Sequence, residues 1–191
     1  MVFTINSGRD RQCRNSLGGI SKLWLFPFVK YSRSQIITNN NILVTFPNTD
    51  IYRFDFNGNP TPTENQNENE GGKYYDLGIS FDLVNSNDVT NIEKLLKKDY
   101  RLIFQDRNGL YRIFGLYTGL TCDSLTYNSG GGKSDLNGFT LSFSGQEEKG
   151  SFFITNLEDA GFFDYAFNYR ITQTGAFRIT QPSINTYRII E

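Results

Sequence analysis

The chain is 191 residues long, which fits one domain and is enough to bury a substantial hydrophobic core. Lys plus Arg number 19 against 20 for Asp plus Glu, so the formal net charge of −1 exerts no global pull toward nucleic acid or an anionic membrane. Histidine is absent, which removes the side chain that titrates nearest neutrality and serves most often as metal ligand and proton shuttle.

Seventeen Phe, eleven Tyr and one Trp make aromatics 15% of the chain, yet mean hydropathy is only −0.44. Aromatic and β-branched side chains suit a half-buried pleated surface, and abundant Gly and Asn suit its turns. The composition predicts a mainly β fold.

The opening residues MVFTINSGRDRQCRN contain no apolar h-region, so they are not read as a signal peptide. No stretch of about 18 consecutive apolar residues predicts a transmembrane helix. Cys13 and Cys122 have no metal-type spacing and are expected as two reduced thiols in a reducing cytoplasm. After the turn-type residues 16–19, ISKLWLF predicts a strand over Ile20–Phe26, and Pro27 marks its end, a bulge or an edge. The runs Ile42–Phe46 and Ile51–Phe56 flank the breaker Pro47-Asn48-Thr49-Asp50 and predict a hairpin.

Residues 57–73 (NGNPTPTENQNENEGGK) lack any large apolar side chain and are expected to form a flexible surface loop. Tyr74–Val84 alternates cleanly, with Tyr75, Leu77, Ile79, Phe81 and Leu83 on one face, and predicts a strand. Next, Asn87 or Asp88 caps a short helix, whose apolar side is Val89, Ile92, Leu95 and Leu96 and whose lysines are Lys94, Lys97 and Lys98.

Tyr100–Gln105, Asp106-Arg107-Asn108-Gly109 and Leu110–Leu116 together predict a hairpin, because Asn-Gly supplies the positive φ that a tight turn requires. Further strands are predicted over Leu120–Tyr127 and Gly138–Ser144, joined by a Gly/Ser loop at 128–134. Residues 1–150 are expected as one domain, and 151–191 as a C-terminal extension or extra hairpin. In that extension Phe162, Phe163, Tyr165 and Phe167 either join the core or dock on a neighbour.

Two segments invite a chemical role. Ser129-Gly130-Gly131-Gly132-Lys133-Ser134 resembles a phosphate loop, but its first required glycine is Tyr127 and no helix is predicted after it. Glu147-Glu148 and Glu158-Asp159 are adjacent acids, which an extended chain points to opposite faces, so they are read as solvated surface charge. No catalytic, cofactor-binding or metal-binding residue is therefore assigned, no cofactor is expected, and an enzyme is disfavoured.

The order of elements over 87–145, a lysine-bearing helix followed by YRLIFQDRNGLYRIFGLYTGL and KSDLNGFTLSFSG, resembles tail-tube-like structural proteins of bacteriophages. Residues 9–20 (RDRQCRNSLGGI) are similar to the opening of such proteins in crAss-like phages and other phages of Bacteroidota hosts. The resemblance implies a tail-tube-like β-sandwich or small barrel with one short flanking helix. It implies sheet-to-sheet assembly of copies into a six-fold or twelve-fold ring that lines a channel for genome passage. Its partners would be adjacent tail or portal proteins and, transiently, passing DNA, with no membrane, in a virion tail assembled in host cytoplasm. The 57–73 segment and the C-terminal extension depart from the pattern and favour a single ring or connector over the repeated tube subunit. The alternative is a monomeric ligand- or carbohydrate-binding β-sandwich, suggested by the aromatics and loops.

Overall fold

A computed structural model describes residues 17–84, 89–132, 135–164, 168–171, 177–180 and 188–189. In chain order the strands are β1 (Ile20–Pro27), β2 (Ile37–Asn39), β3 (Ile42–Thr45), β4 (Thr49–Phe54), β5 (Asn57–Asn69), β6 (Gly72–Val84), β7 (Tyr100–Asp106) and β8 (Tyr111–Phe114). They continue with β9 (Thr121–Asn128), β10 (Gly138–Glu147), β11 (Phe152–Ile154), β12 (Phe162–Asp164), β13 (Asn168–Ile171), β14 (Phe177–Thr180) and β15 (Arg188–Ile189). Helix α1 (Val89–Lys94) runs into a 3-10 turn at Leu95–Lys97. The mainly β architecture with one short helix is as expected. Among the described residues no helix is long and apolar enough to cross a membrane.

Eight strands form a curled half-barrel sheet in the order β12-β4-β1-β7-β8-β11-β3-β2, and four form a second sheet in the order β5-β6-β10-β9. β13, β14 and β15 make a small antiparallel sheet. The two large sheets enclose one core: Leu23, Leu25, Leu102, Phe104 and Phe114 on one side meet Leu77, Ile79, Phe81, Leu141 and Phe143 on the other, with Ile92 and Leu95 of the helical segment closing it. A second core fills the hollow of the curl, where Trp24, Phe26, Phe46, Ile51, Ile103, Ile113, Phe152, Ile154 and Phe162 pack together. The eight-stranded sheet is thus dry on both faces at its centre. That is why β1 and β7 read as near-continuous apolar runs while β6 and β10 alternate.

The β7–β8 hairpin forms as expected, with Gly109 at φ 88°. The Asp106 carboxylate accepts the amides of Asn108 and Leu110 (2.8 and 2.9 Å), and the Gly109 amide donates to the Asp106 carbonyl (3.1 Å). Asn108 itself stays out of the positive-φ region, so the connection is a three-residue loop ending on a left-handed glycine.

Four expectations are corrected. Ile42–Phe46 and Ile51–Phe56 do not form a hairpin. β3 pairs with β2 and β11, whereas β4 pairs with β1 and β12, so Pro47-Asn48 carries the chain across the mouth of the half-barrel. The crossing is stitched by the Phe46 amide to the Ala160 carbonyl (2.8 Å) and the Thr49 amide to the Gly161 carbonyl (2.9 Å). Residues 57–73 are not a loop; they form β5, the turn and the start of β6, in continuous register from Thr61↔Ser80 to Asn69↔Gly72, with Asn57↔Asp82 beyond an irregularity. A main-chain ladder needs no apolar side chains on the added strand when its partner already lies on a core.

The break read at residue 150 does not separate the extension, because β11 and β12 are strands of the eight-stranded sheet and Phe152, Ile154, Ala160 and Phe162 belong to its core. Leu96 lies outside the helical apolar face: Ile92 and Leu95 are buried, but Leu96 is exposed. The caps expected at Asn87 or Asp88 lie outside the described residues, as do Cys13, Tyr165 and Phe167.

Phe162 stacks on Phe46 with centroids 5.0 Å apart and is fully buried. Phe162→Ala is expected to lower stability by about 3–5 kcal/mol, read from the urea unfolding midpoint. A midpoint equal to wild type would show that residues beyond 150 are dispensable to the core.

Candidate functional site

The register of the four-stranded sheet sorts its side chains. Odd-numbered residues of β6 and β10 face the core, and the even-numbered residues opposite them face outward. That outward face carries Asp76, Ser80 and Asp82 of β6 beside Thr140, Ser142, Ser144 and Gln146 of β10. Thr61, Thr63, Asn65 and Asn67 of β5 and Ser124 and Thr126 of β9 extend it on either side. Its polar groups are bonded to one another. Gln146 Nε2 donates to Asp76 (2.8 Å), the Thr140 hydroxyl to Asp82 (2.6 Å) and the Asn67 amide to Asp76, and the Ser142 and Ser80 hydroxyls bond at 3.1 Å. Across β5, β6, β9 and β10 the acids are Glu64, Glu68, Asp76, Asp82, Asp123 and Glu147, and the one base is Lys73. Lys73 has the opposite parity, so the wet face bears no cation.

This face lies between two open borders. β5 and β9 are the outer strands of their sheet, and among the described residues neither has a further strand beside it. Unpaired main-chain edges of this kind are templates for another chain.

The charges buried in the fold lie elsewhere. Arg101 of β7 is 1% exposed and Glu147 at the end of β10 is 3% exposed. They bind the two ends of one peptide group: Arg101 Nε donates to the Leu116 carbonyl (3.0 Å), and the Tyr117 amide donates to Glu147 Oε1 (2.9 Å). The Thr118 amide donates to the same Oε1 (3.0 Å), and Arg101 Nη2 donates to the Val29 carbonyl (2.9 Å). The opposed charges align with the dipole of the Leu116–Tyr117 peptide and hold the connection from β8 to β9, one of the chain crossings between the two large sheets. Phe28, Phe46 and Tyr31 surround the guanidinium, with ring centroids 4.3, 5.1 and 5.5 Å away.

Burial lowers Arg101 to about 10, so it remains cationic at neutral pH. Burial also raises the Glu147 carboxyl, against the amides of Thr118 and Tyr117 and the attraction of Arg101. The adjacent acids therefore separate. Glu148 is exposed and pairs with Arg33, but Glu147 corrects the expectation of solvated charge, because its core-facing parity at the end of β10 sets it beneath 116–118. Glu158 and Asp159 are exposed as expected. Arg101 was missed, although a charge inside the otherwise apolar run YRLIF was a visible signal.

In the glycine loop, Asp135 accepts the amides of Gly131 and Gly132 (2.9 and 2.8 Å), so the donors that could cradle a phosphate already hold an internal carboxylate. Lys133 and Ser134 lie outside the described residues. Phe162 is core, Phe163 is exposed, and the Cys122 thiol is buried and free of any disulfide. Among the described residues no group of three or more His, Cys, Asp or Glu is arranged to hold a metal. A cleft of about 320 Å³ opens between the sheets, with Phe104 and Phe114 as floor and Glu64, Asn108 and Arg112 among its polar lining. Comparison with known proteins adds no identity: no family model, curated protein or solved structure matches this chain.

A raised native pKa means that Glu147 keeps its proton to higher pH in the folded than in the unfolded chain. Its stabilising contribution is fully present below the ordinary value of 4.5 and is lost as pH rises through the raised one. The stability difference between wild type and Glu147→Gln is expected to fall across that window in urea titrations at successive pH values. A pH-independent difference would place the carboxylate in a solvated setting.

Proposed function

We propose that this chain is a structural subunit of a phage tail or head–tail connector, assembled into a ring whose channel passes the genome, and that it is not an enzyme. The observation that carries this reading is the outward face of the four-stranded sheet: broad, hydrogen-bonded to itself, acidic and without a cation, between two strand edges that are unpaired among the described residues. Each Lys or Arg that neutralises a phosphate strengthens salt-dependent binding, so a wall that lets duplex DNA slide should present none. A cation-free face meets that requirement, and the two open edges supply the means of closing subunits around an axis.

The resemblance over 87–145 and 9–20 points the same way. In this reading the partners are copies of the chain, the tail or portal proteins above and below, and DNA in passage, and the site of action is the virion tail.

The cleft beside Phe104 and Phe114 supports a second reading, a ligand- or carbohydrate-binding module, since its volume is at the low end for small-molecule sites. The two readings separate cleanly. Negative-stain microscopy and light scattering of concentrated protein are expected to show closed rings. A strictly monomeric mass together with saturable binding on a glycan panel would replace the ring with the module.

A further inference from the structure

Resting on the ring proposed above, we infer that its subunits join by main-chain pairing between β9 of one copy and residues 64–68 of β5 in the next. The register of β5 on β6 decides which amides are free to do this. Asn69 pairs with Gly72 across the turn Glu70-Gly71, and so short a connection closes on a hydrogen-bonded pair. Alternation then aims the amides of Asn67, Asn65 and Thr63 at β6, and those of Glu68, Gln66 and Glu64 at the open side. Pro62 has the outward parity, where its missing N–H costs the β5–β6 ladder nothing. Pro60 precedes it in the irregular stretch between Asn57 and Thr61. The prolines thus blunt the early part of the edge and leave Glu64, Gln66 and Glu68 as its donors.

Strand direction selects the other partner. β5, β6, β10 and β9 alternate antiparallel, so the two borders of the sheet run in opposite directions. Copies related by rotation about a ring axis keep that relation, and β9 of one meets β5 of the next antiparallel, which continues the ladder. Two β5 strands paired about a two-fold at Gln66 would instead set Glu64 opposite Glu68, a like-charge contact. The contact is therefore head-to-tail, the kind that closes a ring.

Charge and exposure agree with this choice. The 3-10 turn packs beside β9 and is followed by Lys98; Lys97 and Lys98 are exposed, and in the inferred antiparallel contact this end of β9 would lie opposite the end of β5 that carries Glu68 and Glu70 of a neighbour. The acids on this side are Glu93, Asp99, which accepts the Thr121 hydroxyl, and Asp123. Tyr127 of the edge strand β9 is 54% exposed, and Leu96 of the neighbouring 3-10 turn is 47% exposed.

The test uses the full chain, with ring formation read by microscopy and mass, and folding read by circular dichroism. Gln66→Pro removes an outward donor and is expected to abolish rings while leaving the folded monomer; Asn65→Pro removes a donor aimed at β6 and is expected to weaken the fold itself. Lys97→Glu with Lys98→Glu, or Glu68→Lys with Glu70→Lys, is expected to abolish rings, and all four changes in one chain to restore them. Rings that survive Gln66→Pro, or four changes that fail to restore them, would overturn this interface while the ring reading stands. Wild-type protein that never assembles would overturn both.

Discussion

The eight-stranded sheet has no wet face at its centre, and most of the architecture follows from that constraint. Its inner strands carry large apolar side chains on both sides, so two covers are needed. One is the four-stranded sheet, which contributes a single apolar face. The other is the sheet's own curl, closed by β11, β12 and the chain crossing at Pro47-Asn48. Because the four-stranded sheet is used on one side only, its other side is left to polar residues, and this asymmetry creates the face on which the proposed function rests.

The β8–β9 crossing between the two sheets cannot rest on apolar packing alone, since a tight connection exposes main-chain groups that water cannot reach. Arg101 and Glu147 satisfy those groups from opposite sheets, one at the carbonyl of Leu116 and the other at the amides of Tyr117 and Thr118. Space there is scarce: a Cβ on Gly145 would fall 2.6 Å from the Gly119 carbonyl oxygen. Burying two charges is costly, and each is tolerated because it is bonded to main chain and placed in the field of the other. This geometry suits a structural post better than a reactive centre, for neither group lines the cleft between the sheets.

The polar face and the open edges belong to one design. A sheet that ends in unpaired strands risks uncontrolled association, and β5 carries devices that restrict it: prolines, glutamates and a side-chain set without large apolar groups. The same devices leave one short stretch available. An even number of antiparallel strands then makes the two borders opposite in direction, as the proposed contact between copies requires.

The sequence by itself determined the β class, the strands β1, β6, β7, β8, β9 and β10, the short helix and the Gly109 turn, because each is written in local periodicity or turn chemistry. The near-continuous apolar runs of β1 and β7, interrupted by Lys22 and Arg101, are what strands buried on both faces carry. Only the tertiary structure decided that 57–69 is a strand, since its stability comes from the ladder offered by β6 and not from its own side chains. Tertiary packing also decided that Pro47-Asn48 crosses a barrel mouth, that Phe162 is core, and that Glu147 is buried while Glu148 is not. In each of those cases the deciding energy is a contact with residues far away along the chain, which no local pattern records.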